Sequence, residues 1–274
     1  MSPWESVFIW ITICGYGITS ALYIYSYAFK KERVLSKLHL VVVAVFLSHT
    51  AGIIARYLAV GNLPWAGDYE AAVAGAWFVV LFTLLLVWKN RELCGVGLGT
   101  IPFSLILLGY GVICSPQLTP MALSLKSFWL GIHVLFAWLA FSSYVVAYGL
   151  GIVYLLKEKN PQKEFYLKFP DLPVLDELMF KYVIFGFITD AIMIATGAIW
   201  AKNLWGNYWS WDPVETWSLV SWLTYGIAIH LRLTMGWRGR RMAWIAIGAL
   251  SGVFIAFFGI NLFVSSSLHF FGAM

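Results

Sequence analysis

The sequence predicts an all-α integral membrane protein of about eight transmembrane helices, both termini outside, with a tryptophan-rich outer loop. Three observations predict it. The 274 residues are 61% hydrophobic and only 11% charged, against about 45–50% and about 25% in soluble domains. Such a chain cannot cover itself with polar surface, which excludes a soluble globular enzyme and a disordered protein. Eight apolar runs approach the ~20 residues that cross a ~30 Å hydrocarbon core. The basic residues fall on alternate connections between those runs, as membrane topology requires.

The runs lie roughly at 6–29, 38–60, 71–88, 97–115, 128–156, 181–200, 214–235 and 242–264. The first begins beside Glu5 and has no basic leader, and it is too long for a signal-peptide core, so it is expected to stay in the membrane. The second carries His49 at mid-depth and Arg56 near its end. The fourth contains Pro102 and several glycines, which membrane helices tolerate. The fifth is long enough to project beyond a bilayer. Lys30, Lys31, Arg33 and Lys37 follow the first run, and Lys89 and Arg91 follow the third. Lys157, Lys159, Lys163, Lys168 and Lys181 follow the fifth, and Arg232, Arg238, Arg240 and Arg241 surround the turn between the seventh and eighth. These are fifteen of the eighteen basic residues, so those connections are expected inside. Only Arg56, Lys126 and Lys202 belong to the other side. The net charge of +5 thus reads as an orientation signal and not as a nucleic-acid footprint.

The chain reads as a single membrane domain over 1–274, with an outer segment at 201–217 and a cytoplasmic loop at 157–180. The stretch 157–180 mixes charge with three prolines and reads as surface, with an interfacial helix near 173–180. Cys14, Cys94 and Cys114 are scattered, without a CxxC pair, and read as small buried residues.

The most unusual segment runs Trp205-Gly-Asn-Tyr-Trp209-Ser-Trp211-Asp212-Pro-Val-Glu-Thr-Trp217. Asp212 as N-cap, Pro213 as first helical residue and Glu215 three positions after the cap spell a helix start. One reading of the aromatics is an interfacial belt. The other is a platform for a flat apolar ligand, held on a rigid helix end. His133 and His269 lie at the expected depth of this loop. Two neutral imidazoles beside aromatic faces suit the axial positions of a haem iron, and the plain alternative is hydrogen-bonded packing. His230 and His49 are intramembrane candidates on the same terms, and His39 reads as interfacial. Asp190 and His230 fall at similar depths, which would let the carboxylate orient the imidazole. Arg56 either snorkels or faces a propionate or Asp68/Glu70.

The segment 205–217 closely resembles the WWD signature of membrane proteins that handle haem in cytochrome c assembly. Gly197-Ala-Ile-Trp-Ala201, His230-Leu-Arg232, Gly236-Trp-Arg-Gly-Arg240 and Asn261-Leu-Phe-Val-Ser-Ser-Ser-Leu-His269 resemble the CcsA (ResC) branch of System II. Arg56 and Pro64-Trp-Ala-Gly-Asp-Tyr-Glu70 resemble the same branch ahead of its third span. Val214 stands where the signature commonly has Lys, and Asp190 is an unexpected acid.

The resemblance implies haem b as substrate and ligand, carried to the outer face and attached covalently to apocytochrome c CxxCH motifs, as part of a holocytochrome c synthase. It implies that His133 and His269 hold the iron of an external haem, and that Trp205, Trp209, Trp211, Asp212 and Trp217 cradle the porphyrin. His230 would ligate a haem in transit, with His49 as a conceivable second ligand. The implied partners are a CcsB-like membrane subunit, apocytochrome c, thiol reductant proteins and membrane lipid, with no nucleic acid. The implied location is the cytoplasmic membrane, or the thylakoid membrane in a plastid, with the haem site on the periplasmic or outer side. The alternatives are CcmC-like haem delivery to a chaperone without thioether chemistry, and a non-catalytic haem-binding protein of regulation or assembly.

Overall fold

The computed structural model describes residues 1–61, 67–114 and 125–256, and the regular structure among them is entirely helical. The helices are α1 (Pro3–Ala28), α2 (Glu32–Val60), α3 (Asp68–Lys89), α4 (Gly97–Ile113), α5 (Phe128–Lys159), α6 (Glu164–Leu167), α7 (Leu172–Trp205), α8 (Pro213–Met235) and α9 (Arg240–Phe254). A 3₁₀ turn, Arg91–Val96, leads directly into α4.

Local chemistry sets the helix ends. At α1, the Ser2 hydroxyl accepts from the Glu5 amide (3.3 Å), while the Glu5 carboxylate accepts from the Ser2 amide (2.9 Å). This is a complete capping box with Pro3 opening the helix. The C-termini of α2, α7 and α8 are closed by Gly61, Gly206 and Gly236, all left-handed, a conformation that costs a residue with a Cβ.

α5 is the hub. It packs most extensively on α7, and also on α3, α4 and α9. α4 comes so close to it that a Cβ on Gly99 would sit 3.0 Å from the Gly149 Cα. Small residues at such crossings let backbones approach where lipid supplies no hydrophobic drive between helices. α1 and α2 pair along their length, and α8 packs on α7 and α9.

The helices alternate in direction, so the bundle has two ends. At one, Arg56 from the end of α2 meets Glu5 of α1 and Glu70 of α3. His133 near the start of α5 lies at the same end, against the last turns of α7. At the other end, the Tyr27 ring meets Phe165, Tyr166 and Phe169, Arg232 meets Asp176, and Arg240 meets Glu158. The stretch 173–180 is no separate interfacial helix: it forms the first turns of the 34-residue α7.

The eight-span reading with both termini outside is overturned. Among the described residues six helices are long and apolar enough to cross a membrane: α1, α2, α3, the continuous Arg91–Ile113 stretch, α5 and α7. α8 has the length but carries Glu215, Ser218, Ser221, Thr224, His230 and Arg232, which pull it below the apolarity a span needs. α9 is described over Arg240–Phe254 and is not among the six. The outer placement of the tryptophan loop and of both termini rested on the eight-span count and falls with it. The chain remains a multi-pass, all-α membrane protein.

Candidate functional site: an aromatic cleft between α5, α7 and α8

The tryptophan loop is built on its helix start. The Asp212 carboxylate accepts from the Val214 amide (3.0 Å). Glu215 accepts from the Asp212 amide (3.2 Å) and the Ser210 amide (2.8 Å), and the Ser210 hydroxyl donates to it as well. The capping box read from Asp212, Pro213 and Glu215 therefore forms, and it extends two residues further back into the loop. With both flanking residues tied to Glu215, Trp211 is held at φ +58°, a left-handed conformation that is uncommon for a bulky residue.

This pinned loop roofs a partly open cleft. His133 lines it from α5, Met193, Gly197 and Trp200 from α7, and Glu215 from α8. Tyr208 and Trp209 line it from the loop, and Ala256 closes it just after α9.

His133 is oriented. Its Nδ1 lies 2.8 Å from the Met193 carbonyl. A carbonyl only accepts, so Nδ1 carries the proton, and in the neutral ring Nε2 then holds the lone pair. A backbone carbonyl fixing the tautomer in this way is the usual support for a metal-ligating imidazole. Gly197 makes the position possible, because a Cβ there would stand 2.6 Å from His133 Nδ1. Sequence reasoning missed both Met193 and Gly197. The Met193 contribution is a carbonyl and leaves no mark in residue type. Gly197 did leave one, a helical glycine one turn beyond Met193.

The other candidate residues divide. Trp209 lines the cleft, whereas Trp205, Trp211 and Trp217 do not. Trp205 packs edge-on against Trp200 (5.2 Å) and Trp211 against Trp209 (5.8 Å, 88°). Asp212 serves as the cap. His269 lies outside the described residues, as does the segment from Pro64 to Ala66.

His49 is fully buried and away from the cleft, with its Nδ1 3.3 Å from the Tyr16 hydroxyl. His230 is exposed on the outer face of α8, in line with Val220, Leu223 and Ile227. His39 is half-buried at the other end of α2. Asp190 does not orient His230. It is buried and accepts from the Tyr144 hydroxyl (3.1 Å), and Tyr144 stacks on Tyr225 at 3.6 Å. Arg56 is buried between Glu5 and Glu70 with its guanidinium 5.0 Å from the Tyr69 ring centre. Among the described residues no cluster of three or more His, Cys, Asp or Glu is arranged to hold a bare metal ion.

The family model for the cytochrome C assembly protein matches residues 65–269. The cytochrome c biogenesis protein CcsA of Guillardia theta is 33% identical over 240 residues, covering 79% of each chain. CcsA of Synechococcus sp. (strain RCC307) is 30% identical over 262 residues, covering 85% of this chain and 84% of its own. Among solved structures, the cytochrome c haem lyase CcmF superposes with a TM-score of 0.73 at 17% identity. That match covers 94% of this chain and 47% of CcmF, so the chain spans about half of that structure's length and shares its fold. The chain belongs to the cytochrome c assembly protein family, among its CcsA-type cytochrome c biogenesis members.

Proposed function

We propose that the cleft holds haem b as substrate and that the chain presents it to apocytochrome c for covalent attachment. The observation that carries this is His133: an imidazole with Nδ1 committed to the Met193 carbonyl, in an aromatic cleft between α5, α7 and α8. The site fits the group. Nε2 is the nitrogen able to bind iron, Trp200, Trp209 and Tyr208 supply apolar faces for a porphyrin, and His269 is the second axial ligand in this reading. When bound, haem supplies two vinyl groups, and each CxxCH thiol adds S–H across one of them to form a C–S bond, with no net redox change.

The residues of this chain do the positioning. His133 holds the iron at a fixed place, Glu215 keeps the loop from folding into the cleft, and the aromatic walls exclude water. Holding both reactants in place is the main lever for such an addition. His230, exposed on an apolar stripe of α8, is positioned for a site completed by a CcsB-like subunit, where haem in transit would be ligated.

Purified chain is expected to carry haem with a bis-imidazole visible spectrum. His133→Ala and His269→Ala are each expected to lose it and to regain maturation with added imidazole. Unchanged haem content in both variants would sink the assignment. Covalent cytochrome c formed in a host lacking its own maturation system, together with a CcsB-like partner, separates attachment from simple delivery.

A further inference from the structure

Among the described residues the cleft wall contains a carboxylate held in place and no lysine or arginine. Glu215 is buried, and its carboxylate is used by the Ser210 and Asp212 amides and the Ser210 hydroxyl. No lysine or arginine lines the cleft among the described residues. Haem b carries two propionates, so an unmodified cleft would repel that edge of its proposed substrate.

At this end of the bundle the described basic side chains are Arg56, Lys126 and Lys202. Arg56 is buried between two carboxylates. Lys126 sits beside Leu125, which packs against Trp200 and Leu130. Lys202 follows the cleft-lining Ala201 on the last turn of α7. Its ammonium donates to the Gly206 carbonyl (2.6 Å) and stands 5.6 Å from the ring centre of Tyr208, itself a lining residue. One of its three N–H groups is thus used to tether it at the rim, and the remaining two are donors for an acceptor above the ring.

We infer that Lys202 is the rim clamp for the substrate's propionate carboxylate, a positioning residue that fixes which edge of the porphyrin enters the cleft. The inference rests on the haem reading of the cleft. In haem b the propionates and the vinyls occupy opposite halves of the ring. An ion pair at the α7 rim therefore turns the vinyl half away from Lys202, toward the position where thiols must reach it. A lysine at a helix C-terminus also satisfies carbonyls without any ligand, and that purely structural role predicts no dependence on the porphyrin's carboxylates.

The test compares haem b with its dimethyl ester, in which both propionates are neutral. Retention of each is measured on the full chain in detergent for wild type, Lys202→Gln, Lys202→Arg and Lys126→Gln. Wild type is expected to hold haem b about three- to fivefold better than the ester, the size of a partly exposed ion pair. Lys202→Gln is expected to bring that ratio to one, Lys202→Arg to restore it, and Lys126→Gln to leave it as in wild type. A wild-type ratio of one, a ratio unchanged in Lys202→Gln, or a ratio lost in Lys126→Gln overturns the clamp while leaving the haem reading intact. Failure of wild type to bind either porphyrin overturns the haem reading itself, and the clamp with it.

Discussion

The two ends of the bundle are built from similar residues and do opposite things. At the α6 end, Phe165, Tyr166 and Phe169 are 1–6% exposed and close around Tyr27. Three of the cations there are consumed. Lys157 donates to the Phe169 and Pro170 carbonyls, Lys30 to the Tyr27 carbonyl and the Tyr166 hydroxyl, and Arg232 to Asp176. At the cleft end, Tyr208 and Trp211 are 59% and 69% exposed, and the charged group in the wall, Glu215, is spent on holding the loop backbone. An aromatic loop becomes a plug when its rings find one another and the helix ends beneath. It becomes a cleft roof when a capping network fixes its backbone and leaves rings such as Tyr208 and Trp211 exposed.

The sharpest way to break this contrast is to attack the closed end. Arg232 gives both Asp176 oxygens a hydrogen bond from Nη1 (2.9 and 2.8 Å), and Asp176 also accepts from the Gly239 amide. Both side chains are less than a tenth exposed. Removing one member of such a pair leaves a buried charge, at a cost of about 3–5 kcal/mol. Arg232→Ala is expected to lower the thermal unfolding midpoint in detergent substantially, while folded molecules retain haem as wild type does. Haem loss at unchanged stability would show that the two ends are not separate in function.

Much of this was legible in the residues, and the exceptions have physical causes. The cap at α8 was readable because its chemistry is local: Asp212, Pro213 and Glu215 act over three positions. The helices were readable from apolar length. The span count was not, because α8 has helical length while its polar residues serve packing, as when Arg232 reaches Asp176 across 56 positions. The pairing of Asp190 with His230 failed on helical phase. The buried residues of α8 are Glu215, Ser221, Tyr225, Ala228 and Arg232, and His230 lies on the opposite stripe. Depth alone cannot tell which face a residue occupies. The tryptophans were readable as a group and not as individuals, because which of them lines the cleft depends on the folded path of the loop, including the positive φ at Trp211.

A smaller effect is expected from Gly197→Ala at the cleft end. The added Cβ would lie 2.6 Å from His133 Nδ1, so the ring must leave the Met193 carbonyl. α7 has no other reason to object, since alanine favours helix over glycine by about 0.8–1.0 kcal/mol. The variant is therefore expected to fold at least as well as wild type while losing about 10–100-fold in haem retention, the usual result of disturbing a ligand's supporting contact. Retention at the wild-type level would mean that the orientation of His133 does not matter to binding.

The smallest effect divides the two loop tryptophans. Trp209 lines the cleft and Trp211 does not, although the two rings touch edge to face at 5.8 Å. Trp209→Ala removes one wall of the site and is expected to weaken haem retention by about 0.5–1.5 kcal/mol, or roughly two- to twelvefold, the range for one aromatic contact. Trp211→Ala keeps a Cβ at the same strained φ and leaves the links of Ser210 and Asp212 to Glu215 in place. Its effect on retention is expected to stay below about twofold, because it reaches the site only by loosening the packing of Trp209. Equal losses in both variants would mean that the loop binds haem as one aromatic surface, and the division between a lining tryptophan and an outward one would then have no functional content.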